Sequence, residues 1–335
     1  MKAVRIGEAG GIDALEMVNL PDPGRPGFGE IRVRIHASSL NYHDYGVVRS
    51  HAPAFSRRIP LSDGAGEVEA VGKGVTEFAV GDAVVSTFFP FWSDGGPRVG
   101  DFATVPGDGV DGYAREIVLR PATWFTHSPQ GYSHIEAATL TTAGVTAWRA
   151  LAGDGRLKAG DRVLVLGTGG VSIFALQIAK IMGATVIATS SSDEKLERIR
   201  ELGADCMINY RTVPDWGSKV LDLTDGEGVD HVIEVGGGGT LNQSVRAIKV
   251  GGHISLIGVL TGVSGEINTA AILARQAVVQ GLIVGSRRQQ QDFVRAIEAT
   301  GLKPVIDRTF TLDQLPQAFR YQESEAHFGK IGIVI

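Results

Sequence analysis

Residues 162–172 read RVLVLGTGGVS, and IFALQIAKIMGA (173–184) follows. The first part has the pattern of an apolar strand and the last part that of an amphipathic helix. Glycines this dense break regular structure, so their place between a strand and a helix needs a reason. A helix N-terminus offers unpaired N–H groups and the positive end of the helix dipole. A phosphate can sit there only if the backbone comes close. Gly167 permits the tight turn, and Gly169 removes the side chain that would block a pyrophosphate. The third position of the G-x-G-x-x-G pattern lets helix and strand pack closely; here it is Ser172, another small residue. The flanking strand and helix are the context that gives this motif its meaning.

Outward from the turn, the chain from about residue 130 alternates strand and helix. RVLVL (162–166), TVIATS (185–190), DHVIEV (230–235), HISLIG (253–258) and VVQGLIVG (278–285) read as strands. DEKLERIRELG (193–203) places Leu196, Ile199 and Leu202 on one helical stripe, with Ser192 or Asp193 to cap it and Gly203 to end it. Strands joined by helices imply right-handed crossovers and a doubly wound parallel sheet. The first 125 residues are different. IRVRIHA (31–37) alternates Ile31, Val33, Ile35 and Ala37 with Arg32, Arg34 and His36, the pattern of a half-buried strand. GAGEVEAVGKGV (64–75) and FAVGDAVVS (78–86) add short strands with glycine turns, so a partly closed β-domain is expected. Residues 90–112, rich in Gly, Pro and Asp and without period, read as a long surface loop. The tail 302–335 returns to short strands, and its final IGIVI is expected to pair back onto the first domain. The sequence therefore divides into 1–130, completed by 302–335, and a dinucleotide-binding domain over 131–301.

The end of the second strand bears on the cofactor. An NAD site usually has an acid there for the ribose hydroxyls. Here the strand ends Thr189, Ser190, Ser191, Ser192, with Lys195 one helical turn on. Hydroxyls and an ammonium suit a 2′-phosphate, which an acid would repel, so NADP(H) is favoured. Capping of the helix by these serines is the other reading, and both roles can hold together.

The chain has 335 residues, 43% apolar and 21% charged, with a formal net charge of −5 and no basic tract. Nucleic acid and anionic membranes are therefore not expected partners. Cys206 is the only cysteine. It can form neither an internal disulfide nor a cysteine-cluster zinc site, which suits a reducing, cytoplasmic setting. The opening MKAVRIGEAG lacks the apolar core of a signal peptide, and no apolar run is long enough for a bilayer.

With SSLNYHDYG (38–46), LSDGAGEVEAVGKGVTEFAVGDAVV (61–85), GVTAW (144–148), GTGGVSIFALQIAK (167–180), ATSSSDEKLERIRELGADCMINY (188–210), VGGGGTL (235–241) and VGSRRQ (284–289), the chain resembles the medium-chain dehydrogenase/reductase superfamily. It is most similar to the zinc-independent, quinone-oxidoreductase-like branch, and the resemblance covers essentially the whole chain. The fold it implies is α/β: a GroES-like β-rich catalytic domain, a doubly wound parallel Rossmann domain and an active-site cleft between them. It also implies a small-molecule carbonyl or quinone substrate, and a two-fold homodimer through the last Rossmann strand.

Zinc-dependent members use a Cys, a His with a neighbouring acid, and another Cys. Here Asn41 stands at the first position, Ser62 replaces the His beside Asp63, and Thr142 stands at about the last. One carboxylate and some hydroxyls do not make a zinc site, and the four cysteines of the structural zinc lobe are absent, so no metal is expected. Carried over residue by residue, the resemblance places Thr146 near the nicotinamide. It puts Gly167, Gly169, Gly170 and Val171 at the pyrophosphate, and Ser190, Ser191, Lys195 and Tyr210 at the adenosine 2′-phosphate. Gly236, Gly258, Val259 and Leu260 line the dinucleotide, and Ser286 and Arg287 close over it.

Without a Lewis acid, hydride transfer to a saturated ketone leaves an alkoxide that needs a strong donor. Transfer to a quinone or an enone spreads the charge onto a distant oxygen, where weak donors suffice. Candidate donors are Asn41, Tyr42, His43 and Tyr45, with Tyr42 preferred over His43; in an extended segment those two neighbours would point to opposite faces. The competing reading makes Tyr42 a packing residue and has Asn41 and Asp44 brace the turn. Ser62, Phe88, Phe89 and Trp92 are candidates for the substrate pocket, with FFPFW (88–92) either an aromatic wall or domain core. Three functions remain open: an NADPH-dependent quinone or enone reductase, a zinc-free alcohol dehydrogenase or carbonyl reductase, and a dinucleotide-binding sensor without turnover.

Overall fold

Ile31, Val33, Ile35 and Ala37 are all buried, and the polar residues between them are not, as the alternation requires. In the computed structural model, which describes residues 1–98 and 100–335, they form the centre of a long strand, β3. The chain runs β1 (Lys2–Ile6), β2 (Leu15–Asn19), β3 (Glu30–Ser39), α1 (Tyr42–Arg49), β4 (Ala65–Val71), β5 (Ala83–Ser86), β6 (Ile117–Pro121), β7 (Phe125–His127) and α2 (His134–Ala138). It continues with α3 (Val145–Trp148), β8 (Arg162–Leu166), α4 (Gly170–Ile181), β9 (Thr185–Ser190), α5 (Asp193–Glu201), β10 (Cys206–Asn209), α6 (Trp216–Leu223), β11 (Val229–Glu234), α7 (Leu241–Ala247), β12 (Ile248–Leu256), α8 (Thr269–Arg275) and β13 (Val278–Gly281). It closes with α9 (Arg287–Thr300), β14 (Ile306–Thr311), α10 (Leu315–Glu323) and β15 (Lys330–Val334).

Two compact units result: residues 1–145 with 284–335, and residues 146–283. In the first, a sheet of order β14-β15-β3-β4-β5-β7 is joined by β6, which pairs with the start of β3. The closing strand pairs antiparallel with the end of β3, Gly332 against Ser39 and Val334 against Ala37, as its apolar IGIVI led us to expect. In the second unit, six parallel strands stand in the order β10-β9-β8-β11-β12-β13, the doubly wound order of dinucleotide-binding folds. Val163, Leu164 and Val165 are buried in succession because helices cover both faces of this sheet.

The domain boundaries differ from the sequence reading at both ends. Residues 131–145 and 284–301 belong to the first unit rather than the second. The reason is packing: α2 lies against β3, β4, β5 and β15, and α9 lies against β7. An amphipathic helix shows which face it buries and not which sheet receives it. The loop 90–112 also departs from expectation. Residues 93–98, 100 and 101 are exposed, and position 99 lies outside the described residues. Val105, Pro106, Gly107 and Gly112, however, are buried. Gly112 N–H donates to Ile59 O at 2.7 Å and Tyr113 N–H to Leu61 O at 2.9 Å. A Cβ at Gly109 would stand 2.1 Å from the Ala103 backbone, so the glycines here serve close backbone approach rather than flexibility. Among the described residues no helix is long and apolar enough to cross a membrane.

Candidate functional site

In the second unit the glycine turn has the form its sequence required. Gly167 has φ +74°, and a Cβ built there or on Gly169 would meet nothing within 4 Å. Gly169 starts α4 without a side-chain cap, so the first N–H groups of that helix are left to a ligand. Gly170 and Val171 form its first turn. Ser172 is 2% exposed, and its hydroxyl donates to Leu166 O at 2.7 Å, sewing the helix to the end of β8. A third glycine would leave that carbonyl without this partner. These features fit a pyrophosphate, and the residues that would hold it are the backbone of 167–171. Bound there, a nicotinamide dinucleotide would supply a hydride.

Beside this turn, Ser190 ends β9, and its main-chain carbonyl accepts from Tyr210 N–H at 3.1 Å, which puts Ser190 and Tyr210 side by side at the strand ends. Ser192 caps α5 by accepting from Lys195 N–H, and Ser190 Oγ accepts from Ser192 N–H. The capping reading of the serines is therefore realised for Ser190 and Ser192, with Ser191 and Lys195 half-buried and Tyr210 41% exposed beside them. The next acid along the chain, Asp193, lies on the first turn of α5 and accepts from Asn209 Nδ2 at 2.7 Å. Thr146 is buried in α3.

A residue that sequence reasoning missed organises the glycine-rich loop after β11. Glu234 is fully buried. Its carboxylate accepts from Gly236 N–H at 2.7 Å, Gly237 N–H at 3.1 Å, the Thr240 hydroxyl at 2.6 Å and the Ser244 hydroxyl. A buried carboxylate is tolerable only when so surrounded, and the donors hold the loop in one shape. Gly236 and Gly258 stand where a Cβ would lie 2.2 Å from Thr240 Oγ1 and from Val235 O respectively. Val259 and Leu260 project at the surface, 44% and 55% exposed. An acid closing an apolar strand pattern, followed by four glycines, was the available signal.

In the first unit the sequence candidates gather around three buried charges. Lys330 is 3% exposed, Asp63 0% and Asp44 2%. The Lys330 ammonium donates to Leu40 O at 2.7 Å and Asn41 Oδ1 at 2.5 Å, and stands 3.6 Å from Asp63 Oδ2. Asn41 Nδ2 donates to Asp63 at 2.8 Å and to Asp44 at 3.0 Å, and its main-chain N–H also donates to Asp44. Ser39 and Thr142 hydroxyls reach Asp63 at 2.6 Å each, and Ser62 donates to Asp44 through N–H and hydroxyl at 2.8 and 2.9 Å. Burial is the main force on both ends of the cluster. It pushes the Asp44 carboxyl up, with Asp63 adding to the rise, and pushes the Lys330 ammonium down against the pull of the two acids. Lys330 was not foreseen; a lysine inside an apolar closing strand was its trace.

This cluster corrects several expectations. Every polar atom of the Asn41 side chain is committed to the cluster, so Asn41 braces α1 and is not available as a proton donor. Ser62 is fully buried and its hydroxyl donates to Asp44, so it serves the cluster rather than a substrate pocket. Phe88, Phe89 and Trp92, 2% exposed each, are core rather than an aromatic wall, because their rings pack on one another and on Phe102. Ser286 is buried as the cap of α9. Arg287 pairs with Glu77 at 2.6 Å and donates to Phe125 O, so both side chains are already engaged within the first unit. Tyr42 and His43 open α1 as its first two residues, so the helix and not an extended segment sets their directions. Tyr42 is 51% exposed; Tyr45 OH is engaged with Glu323. His43 sits between Phe88 and Phe102, ring centroids 5.4 and 4.7 Å away.

The cluster does not suit a zinc ion. Both oxygens of Asp63 already accept hydrogen bonds, and the ammonium beside it repels a divalent cation. Among the described residues no three His, Cys, Asp or Glu side chains converge on one point.

Comparison with known proteins places these features in a family. Residues 27–130 match the model of the alcohol dehydrogenase GroES-like domain, and residues 170–300 that of the zinc-binding dehydrogenase. A zinc-type alcohol dehydrogenase-like protein of Schizosaccharomyces pombe is 43% identical over 98% of this chain and 97% of its own. The quinone oxidoreductase of Rattus norvegicus is 29% identical over 100% of this chain and 97% of its own. A crystal structure of an NAD-dependent alcohol dehydrogenase superposes with a TM-score of 0.90 at 34% identity, covering 100% of both chains.

Lys330→Met tests the buried cluster. Removing the ammonium leaves Asp63 and Asp44 without their cation, and breaking a buried ion pair from one side costs about 3–5 kcal/mol. Urea unfolding at neutral pH should show a loss of that order; an unchanged midpoint would mean that the ammonium contributes nothing to holding the cluster.

Proposed function

This chain belongs to the medium-chain dehydrogenase/reductase superfamily and is a nicotinamide-dependent oxidoreductase, and on that premise we propose that it transfers hydride from NADPH to a quinone or an α,β-unsaturated carbonyl without zinc. The observation that carries the reading is the closed network of Asn41, Asp63 and Lys330. It supplies no Lewis acid, and a substrate that delocalises its own charge needs none. The likeness to a quinone oxidoreductase supports the same substrate class. The likeness to proteins named alcohol dehydrogenases favours carbonyl reduction as the second reading.

His43 is the proton donor in this reading. Tyr42 is largely exposed, whereas His43 is held by aromatic rings on two sides, and a donor acts best when its rotamer is locked. His43→Ala should lower turnover on the best substrate by on the order of 10²-fold, and Tyr42→Phe by much less. The assay is NADPH oxidation against a panel of quinones, enones, ketones and aldehydes, with and without a chelator. Turnover of ketones alone would favour the second reading, activity lost to the chelator would overturn zinc independence, and wild-type turnover in His43→Ala would remove the donor assignment.

The cofactor preference rests on Ser190, Ser191, Lys195 and Tyr210 and on Asp193 being tied to Asn209. Lys195→Ala should weaken NADPH binding by about 1.5–3 kcal/mol, the worth of a charge-assisted hydrogen bond. NADH binding should barely change; equal weakening of both cofactors in a fluorescence titration would sink the assignment.

The chain works as a homodimer in this proposal. β13 ends the parallel sheet with Val278 50% exposed, and an unpaired apolar edge invites a second strand. Light scattering at micromolar concentration should give twice the chain mass, and a monomer mass would reject it.

A further inference from the structure

His43 has a second neighbour that the sequence did not single out. Its Nε2 stands 3.1 Å from Asp108 Oδ2, with both side chains largely covered, 21% and 16% exposed. Nε2 itself is enclosed, and apart from this contact it has no hydrogen-bond partner among the described residues. The exposed part of the ring therefore belongs to its other atoms, and Nδ1 makes no hydrogen bond to protein among the described residues. Two bare acceptors cannot rest 3.1 Å apart in an enclosed place. A proton on Nε2 removes that repulsion.

The chain spends structure on putting Asp108 there. The segment 102–112 is a tight knot: Asp108 N–H donates to Val105 O, Gly109 N–H to Phe102 O, and Gly107 N–H to Val110 O. Gly107 has φ +88°, and a Cβ on it would lie 2.8 Å from the Leu61 backbone, so the knot is seated on the residue before Ser62. Phe102, at the knot's start, stacks on Phe89 and flanks the His43 ring. On the other side, His43 is fixed through α1, whose first turn is held by Asn41 and Asp44.

We infer that Asp108 is a positioning residue for His43: its carboxylate accepts Nε2–H and so leaves Nδ1 as the nitrogen that exchanges a proton with substrate. The inference rests on the reading of His43 as donor. As the substrate carbon gains a hydride, the Nδ1–H bond of the imidazolium breaks with its electron pair staying on the ring. An O–H bond forms on the substrate, the cofactor is oxidised and the substrate reduced. The neutral imidazole keeps its proton on Nε2, against Asp108, and solvent restores the other. Without the carboxylate, neither the orientation of the ring nor the nitrogen that keeps its proton after the transfer is fixed.

The test reads the tautomer directly. In the full chain labelled with ¹⁵N-histidine, the ring signals of His43 are identified by their loss in His43→Gln. At alkaline pH, where the ring is neutral, the wild type should show Nε2 protonated and Nδ1 bare. Asp108→Asn, close in shape, should give a mixture of tautomers, and should lower turnover about tenfold, a part of the 10²-fold or more that a general acid contributes, with KM little changed. A wild-type ring protonated on Nδ1, or the same tautomer in Asp108→Asn as in the wild type, would overturn the inference. If Asp108→Asn does not fold, the wild-type spectrum decides alone. Wild-type turnover in His43→Ala would instead overturn the donor reading, and the spectra would still decide whether Asp108 holds the ring.

Discussion

A buried ammonium cannot be left alone, and the first unit is arranged around that constraint. Lys330 arrives on the last strand, Asn41 and Asp44 on the first turn of α1, Asp63 on the turn before β4, and Thr142 on the helical run after α2. Each charge is tolerable only because the others and the hydroxyls of Ser39, Ser62 and Thr142 surround it. The chain end is thereby tied to segments far away in sequence. The same tie fixes the N-terminus of α1, and with it the place of Tyr42 and His43.

The second unit obeys the same rule in another form. Glu234 draws main-chain N–H groups and hydroxyls onto one carboxylate, and that fixes a loop which four glycines would otherwise leave loose. Elsewhere the rule is reversed on purpose. The head of α4 keeps its N–H groups free of any side-chain cap, with open space in front of Gly169. An uncapped helix head with open space before it is the kind of place a phosphate can fill.

The family's names carry zinc, and the chemistry of this chain argues the other way. Where resemblance would place metal ligands, the chain has an amide, two hydroxyls and a carboxylate already saturated by donors, and an ammonium supplies the positive charge. A cation built into the fold holds the neighbouring backbone as a metal would, but it is enclosed and has no open position for a substrate oxygen. In the proposed reaction, catalysis in such a site depends on a substrate that carries its own charge delocalisation and on a well-held proton donor.

Local patterns made the two-part fold legible. The alternation of IRVRIHA, the strand–glycine–helix run at 162–181 and the apolar closing IGIVI all act over a few residues, and each formed the element expected of it. The shape of the glycine turn was readable because it is set by the backbone of one contiguous segment. What the sequence left open were questions of which side chain meets which. Whether FFPFW was wall or core, whether Asn41 was donor or brace, and whether Ser286 and Arg287 served the cofactor depended on partners far along the chain: Phe102, Lys330, Glu77 and Gln289. The approach of Asp108 to His43 and the burial of Lys330 between two acids have no local signature, because they arise only when tertiary packing removes water and leaves each polar group to find its partner.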